Sequence, residues 1–344
     1  MTSATHPAAT GIAVLGTGRA PCHHGEILQG VFLDADGRRC AGLVTLPMAD
    51  PGSTAVFTRR PDTPPEALVV VPSDRTKAAR AAALATAECS GRTGAPPCGG
   101  ELRLRSDVPV GLGMGSSTSE VIATVRAVAD SYGLRLPVAT IARLAVRAES
   151  ACDPLMLDGR PVLFAQREGR ILEALGPALP PLVVVGCALG GAAPVDTLSL
   201  PVPEVRDEDV RRYERLRAAL RRAVATGDAH LLGTVATASA RRGQQVLGHP
   251  EFEALTDIAR RTGAVGVQIA HSGAVAGVLF DPAAPDLRHR VHDCLGALEA
   301  HDIPVTRTFT TSPTEENQHG PAHRGVAGET CSDTPRRPAP VPAV

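Results

Sequence analysis

The chain has no tryptophan, two tyrosines and six phenylalanines among 344 residues. It therefore lacks the aromatic platforms on which single-stranded nucleic acid stacks. A formal net charge of −1 removes the electrostatic case for nucleic acid or a membrane surface as partner. No apolar run approaches the roughly 20 residues that span a bilayer. The opening MTSATHPAATGIAVLG has no basic region followed by a long apolar stretch, so a signal peptide is not expected. Eight cysteines, at 22, 40, 89, 98, 152, 187, 294 and 331, form no close C-x-x-C pair. That scatter points to reduced thiols in a cytoplasmic protein rather than a disulfide frame. The length suffices for a sizeable core and two domains.

The chemistry concentrates in DVPVGLGMGSSTSEVIATVRAVAD, Asp107 to Asp130. Gly111, Gly113 and Gly115 alternate, Ser116 and Ser117 follow, and Val121, Ile122, Val125, Val128 and Ala129 then mark one helix face. A Gly-rich loop thus feeds a helix N-terminus, where unpaired N–H groups and the helix dipole favour an anion. The serine hydroxyls can bond a phosphate oxygen or ligate Mg²⁺; the plain alternative is a Gly-rich turn with a Ser cap. The Gly-Lys-Ser/Thr ending of a Walker loop and the G-x-G-x-x-G spacing of a dinucleotide fingerprint are both missing.

Pro109-Val110-Gly111-Leu112-Gly113-Met114-Gly115-Ser116-Ser117 resembles the second motif of the GHMP kinases, P-x-x-x-G-L-G-S-S-A-A. Met114-Gly115 stand between Leu112-Gly113 and the serines, and Thr118-Ser119 replace the two alanines. Gly25-Glu26-Ile27-Leu28-Gln29-Gly30 is similar to the first motif of the L-threonine kinase branch, and Ala270-His271-Ser272-Gly273-Ala274-Val275 to its third. The basic residue of the broader family's first motif is absent, since Gly25 stands in its place. Cys22, His23 and His24 invite a zinc reading, but neighbours on an extended strand face opposite ways and no second cluster lies nearby. A hydrolase triad through His271 and Ser272 is rejected for want of a nucleophile elbow.

Glu149 and Asp153 lie four apart just before Pro154 and can point toward one cavity. Glu149 could equally pair with Arg143 or Arg147 on the helix surface, and Asp153 could belong to a simple Asp-Pro turn. Glu26 could be a solvated strand residue, and His271 a core histidine.

The resemblance implies an α+β fold of GHMP kinase architecture. It has an N-terminal domain of the ribosomal protein S5 domain 2 type and a ferredoxin-like C-terminal domain, with the site between them. The expected organisation is a disordered lead over 1–11, the ATP-binding domain over 12–180, the C-terminal domain over 181–311 and a disordered Pro-rich tail over 312–344. Strand, helix and strand are read at 102–106, 138–148 and 182–189, with helices over 76–89, 207–226, 229–247 and 287–300.

The resemblance further implies ATP and Mg²⁺. The loop Pro109–Ser117 with Thr118 would hold the phosphates, and Ser116 or Ser117 with Glu149 would hold the metal. Asp153, with Ser116 beside it, would act on the acceptor hydroxyl. Glu26, Gln29, His271, Ser272 and Gly273 would line the acceptor pocket. Asp158 is the reserve base and Glu120 the reserve metal ligand. The expected acceptor is L-threonine, phosphorylated for the aminopropanol arm of cobalamin. Serine, homoserine or a modified threonine are alternatives, as is a nucleotide sensor without turnover. Oligomeric state is left open, a homodimer being one option.

Overall fold

A computed structural model describes residues 13–190, 205–271 and 274–311. The expected lead over 1–11 and tail over 312–344 lie outside them. Ten strands and seven α-helices alternate along this part of the chain.

Two long strands form the spine: β1 (Val14–Leu33) and β2 (Arg39–Arg60), paired antiparallel. From Gly42 to Pro72 the alternation of apolar and polar residues, punctuated by Pro and Gly, predicts short strands and hairpins. Pro and Gly instead sit at register shifts, such as that between Pro21 and Cys22, so the strands bend without ending. β4 (Gly99–Ser106) pairs with β2, and β3 (Leu68–Val71) with β4. β5 (Val162–Ala165) and β6 (Arg170–Ala174) form a hairpin touching β2.

β7 (Val183–Ala188), β8 (Gly266–Ile269), β9 (Val275–Phe280) and β10 (Val305–Thr310) follow in the second half. Their spatial order is β10-β7-β9-β8, the 4-1-3-2 order of a ferredoxin-like sheet. The expected boundary at 180/181 falls between β6 and β7. A bridge between Glu26 of β1 and Ile269 of β8 joins the two halves into one sheet.

Helix α2 (Ser116–Ser131) packs on β1, β2 and β4, and α1 (Thr76–Thr93) and α3 (Val138–Glu149) pack against α2 and each other, around Phe57, Leu102, Ile122 and Leu144. α2 is buried on most of its circumference, from Thr118 to Ser131, which holds its N-terminus in a defined place. α4 (Asp207–Thr226) and α5 (Ala229–Leu247) cover the other end of β1 through Leu220, Leu232 and Ala236. α6 (Glu251–Arg261), which the sequence reading passed over, and α7 (Leu287–Ala300) close the C-terminal sheet around Phe252, Leu255 and Leu298. The seven cysteines among the described residues are all buried free thiols.

Candidate active site

The Gly-rich loop carries Gly111, Gly113 and Gly115 at φ 81°, 76° and 71°, in the left-handed region that disfavours any side chain with a Cβ. Alternating glycines thus let the chain turn repeatedly into α2. Met114 anchors the loop: its side chain is 5% exposed among Cys22, Met48, Val108, Ala270 and Val275. Its carbonyl accepts the His23 N–H at 3.3 Å. No side chain caps the N-terminus of α2, so the first-turn amides stay available to an anion. The Ser116 hydroxyl has no partner among the described residues.

The next two hydroxyls turn to the end of α3. Ser117 Oγ donates to Glu149 Oε2 at 2.7 Å, and Thr118 Oγ1 lies 2.8 Å from Glu149 Oε1 and 3.3 Å from Asp153 Oδ2. α3 stops at Glu149, with Ser150 in a left-handed cap at φ 71°. That turn lets both carboxylates face α2. Glu149 does not pair with Arg143, which is occupied by Glu88 at 2.6 Å. Burial pushes the Glu149 acid up to about 7, its hydroxyl partners opposing this. A buried carboxylate beside a hydroxyl oxygen is a hard donor set that fits Mg²⁺.

The reserve residues lie elsewhere. Asp158 is largely exposed and takes both oxygens to Arg126 Nη2, at 2.9 and 3.1 Å. Glu120 is bound by Arg75 Nε at 3.0 Å.

β1 supplies the opposite wall. Gly25 adopts φ 71°, and the β1–β2 register shifts between His23 and Glu26. In a regular strand, positions three apart face opposite ways. The bulge instead brings the His23 and Glu26 side chains together, Nδ1 to Oε1 at 3.8 Å. His23 Nε2 lies 3.2 Å from Asp153 Oδ2. His24 points away, into a pocket with Phe309 and Gln268, whose amide lies 2.7 Å from its Nδ1. The expectation that adjacent histidines diverge holds for this pair.

Glu26 is no solvated strand residue, being 3% exposed. Its Oε2 accepts the His271 N–H at 2.5 Å, and His271 Nδ1 lies 2.8 Å from Gln29 Oε1. Glu26, Gln29 and His271 thus form one cluster, with the His271 side chain at the exposed rim rather than in the core. Ser272 and Gly273 lie outside the described residues.

Burial works against a charged His23, but Asp153 and then Glu26 outweigh it and raise the imidazole to about 9. Burial pushes Glu26 up to about 8 against the pull of His23. His23, Glu26 and Asp153 bring their donor atoms within 4.8 Å of one another. Within this trio His23 is the one basic group, set beside two carboxylates.

Two basic residues that the sequence motifs do not single out lie beside the carboxylates of α2 and α3, Arg75 at Glu120 and Lys77 at Glu149. Arg75 precedes α1, and Lys77 Nζ lies 4.0 Å from Glu149 Oε2. A signal was available: Lys77 is the only lysine among 35 basic residues.

An uncapped helix N-terminus after a left-handed glycine loop, with two carboxylates opposite, is a geometry able to receive an anion. Comparison narrows this. Residues 77–155 match the GHMP kinases N terminal domain, and residues 216–295 match the GHMP kinases C terminal domain. The chain is 29% identical over 198 residues to the L-threonine kinase of Salmonella typhimurium, covering 54% of this chain and 61% of that one. It is 30% identical over 193 residues to that of Citrobacter freundii, covering 52% and 61%. It thus spans about three fifths of the curated relatives it matches. Homoserine kinase from Cytophaga hutchinsonii shares its fold, with a TM-score of 0.62 at 15% identity, over 89% of this chain and 97% of that one. The chain thus carries the GHMP kinases N terminal domain followed by the GHMP kinases C terminal domain.

Proposed function

We propose that this protein transfers the γ-phosphoryl group of ATP to the side-chain hydroxyl of a small amino acid, with L-threonine as the first candidate. One observation carries the reading. The loop entering α2 and the carboxylates ending α3 are tied together by the Ser117–Glu149 and Thr118–Asp153 contacts, at 2.7 and 3.3 Å. Donor and acceptor chemistry would thereby meet at one helix terminus. The threonine kinase relatives support the acceptor.

Pro109 to Thr118 would cradle the phosphates on main-chain amides, with Ser116 facing the transferred group. Ser117 and Glu149 would hold Mg²⁺, which when bound supplies charge neutralisation for the phosphates. Asp153 would orient the acceptor hydroxyl and take its proton as that oxygen bonds to the γ-phosphorus and ADP leaves. Phosphoryl transfer of this kind depends mostly on positioning and electrostatics. Gln29 and His271 would line the acceptor side. Both Glu26 oxygens are turned to the protein, toward His271 N and His23, so Glu26 would shape this wall rather than stand free to clasp an amine.

The fold neighbour that is a homoserine kinase keeps a second acceptor in view. Purified protein incubated with Mg²⁺, γ-labelled ATP and, separately, threonine, serine, homoserine and no amino acid distinguishes them. Label recovered in O-phosphothreonine is expected. Label in another product transfers the assignment to that acceptor, and ATP binding without transfer to any acceptor leaves a sensor.

A further inference from the structure

We propose that His23 is the positioning residue of this site, a cation that holds the Asp153 carboxylate and ties its aim to the phosphate loop. This rests on the reading of Asp153 as the group facing the acceptor hydroxyl. No motif match assigns His23, and the family's basic residue falls at Gly25, where this chain has no side chain.

The geometry is specific. The ring is 2% exposed and bridges two elements: Nδ1 lies 3.3 Å from the Gly25 carbonyl and Nε2 3.2 Å from Asp153 Oδ2. It also lies directly on the loop. A Cβ placed on Gly115 would fall 2.6 Å from His23 Cδ2, so only a glycine admits the ring there. The His23 N–H bonds the neighbouring Met114 carbonyl at 3.3 Å. One side chain therefore touches the residue just ahead of the phosphate-binding helix, the bulge beside the acceptor wall, and Asp153.

Charge supports the same role. The groups facing His23 are Asp153 beyond α3 and Glu26 on β1, with neutral His24 behind it. Asp153 in turn faces His271 and, through Thr118, Glu149. The His23 charge holds Asp153 below the usual carboxylate range despite its burial. Without that cation, burial and the neighbouring carboxylates would push Asp153 toward its protonated form, in which it accepts no proton.

The test uses the full chain and two readouts. In the first, NMR titration of the His23 imidazole, assigned by its loss in His23→Gln, is compared in the parent and in Asp153→Asn. The ring is expected to stay protonated well past neutrality in the parent and to titrate at lower pH in Asp153→Asn. In the second, His23→Gln is expected to keep KM for ATP within about twofold. It should lower kcat by roughly 10- to 100-fold and move the acid limb of the kcat profile to higher pH. A purely structural role would lower activity without moving that limb. An imidazole indifferent to Asp153→Asn, or an unchanged acid limb and kcat, overturns the proposal. If the parent transfers phosphate to no acceptor, the kinase reading fails, and the NMR comparison still decides whether His23 holds Asp153.

Discussion

The ammonium of Lys77 lies 4.0 Å from the buried carboxylate of Glu149, and it is the one lysine in a chain that otherwise uses arginine. It is half-exposed, at 51% of its side-chain surface, so its long stem can swing between the carboxylate and a phosphate. Lys77→Ala is expected to raise KM for ATP about tenfold, the size of one charge-assisted contact, and to leave the melting temperature nearly unchanged. Lys77→Arg should recover part of the loss, since a planar fork does not reproduce a compact point charge. Steady-state kinetics with ATP varied checks both.

Asp153→Asn keeps the shape of the side chain and removes its ability to take a proton. Turnover should fall by about 100-fold or more, with nucleotide affinity preserved because the loop is untouched. Equilibrium ATP binding beside single-turnover rates separates the two. Full turnover in this variant removes Asp153 from its proposed role.

Gly115→Ala meets two obstacles at once, a left-handed backbone at φ 71° and the His23 ring 2.6 Å from the new methyl carbon. A loss of about 1–3 kcal/mol in unfolding free energy is expected, read by urea denaturation. Gly37→Ala is a control: its φ of 75° has nothing within 4 Å of the added carbon, so it should show the backbone cost without the clash.

Arg75 holds Glu120, whose side chain is 9% exposed, at 3.0 Å. Burial raises the Glu120 acid and Arg75 opposes it. Arg75→Ala strands that carboxylate and should cost about 1–3 kcal/mol. Adding Glu120→Gln should recover much of the loss. A double-mutant cycle by chemical denaturation measures the coupling.

His23 and Glu26 both have folded-state pKa values above their ordinary ones, about 9 and about 8. A raised value means the native state binds the proton more tightly, so the stabilisation is complete below the ordinary pKa and lost as pH rises through the raised one. For Glu26 the loss runs from about pH 4.5 to 8, and for His23 from about 6.5 to 9. The parent should therefore melt at progressively lower temperature from pH 6.5 to 9. Glu26→Gln and His23→Gln should each flatten that slope, followed by calorimetry in matched buffers.

The helices over 207–226, 229–247 and 287–300 coincide with α4, α5 and α7 because amphipathic periodicity is a local property. The loop from Pro109 to Ser117 was legible for the same reason, with closely spaced glycines running straight into a helical pattern. β1 and β2 were read as shorter pieces, since a proline bent into a register shift looks, in one dimension, like a strand end. β5, β6 and α6 were passed over.

Local chemistry in the chain marks out the glycines, Ser116, Ser117, Glu149 and Asp153 as candidate site residues. What each of them touches was settled only in three dimensions. Strand alternation predicts that neighbours such as His23 and His24 diverge. That rule is sound for His24, but the bulge at Gly25 gathers His23 and Glu26 to one side, and only the packing of α3 against α2 carries Asp153 across to meet them. Likewise nothing near Lys77 or Arg75 in the chain hints at Glu149 or Glu120. Side-chain partners drawn from distant segments depend on how the helices stack on the sheet, and no local pattern encodes that stacking.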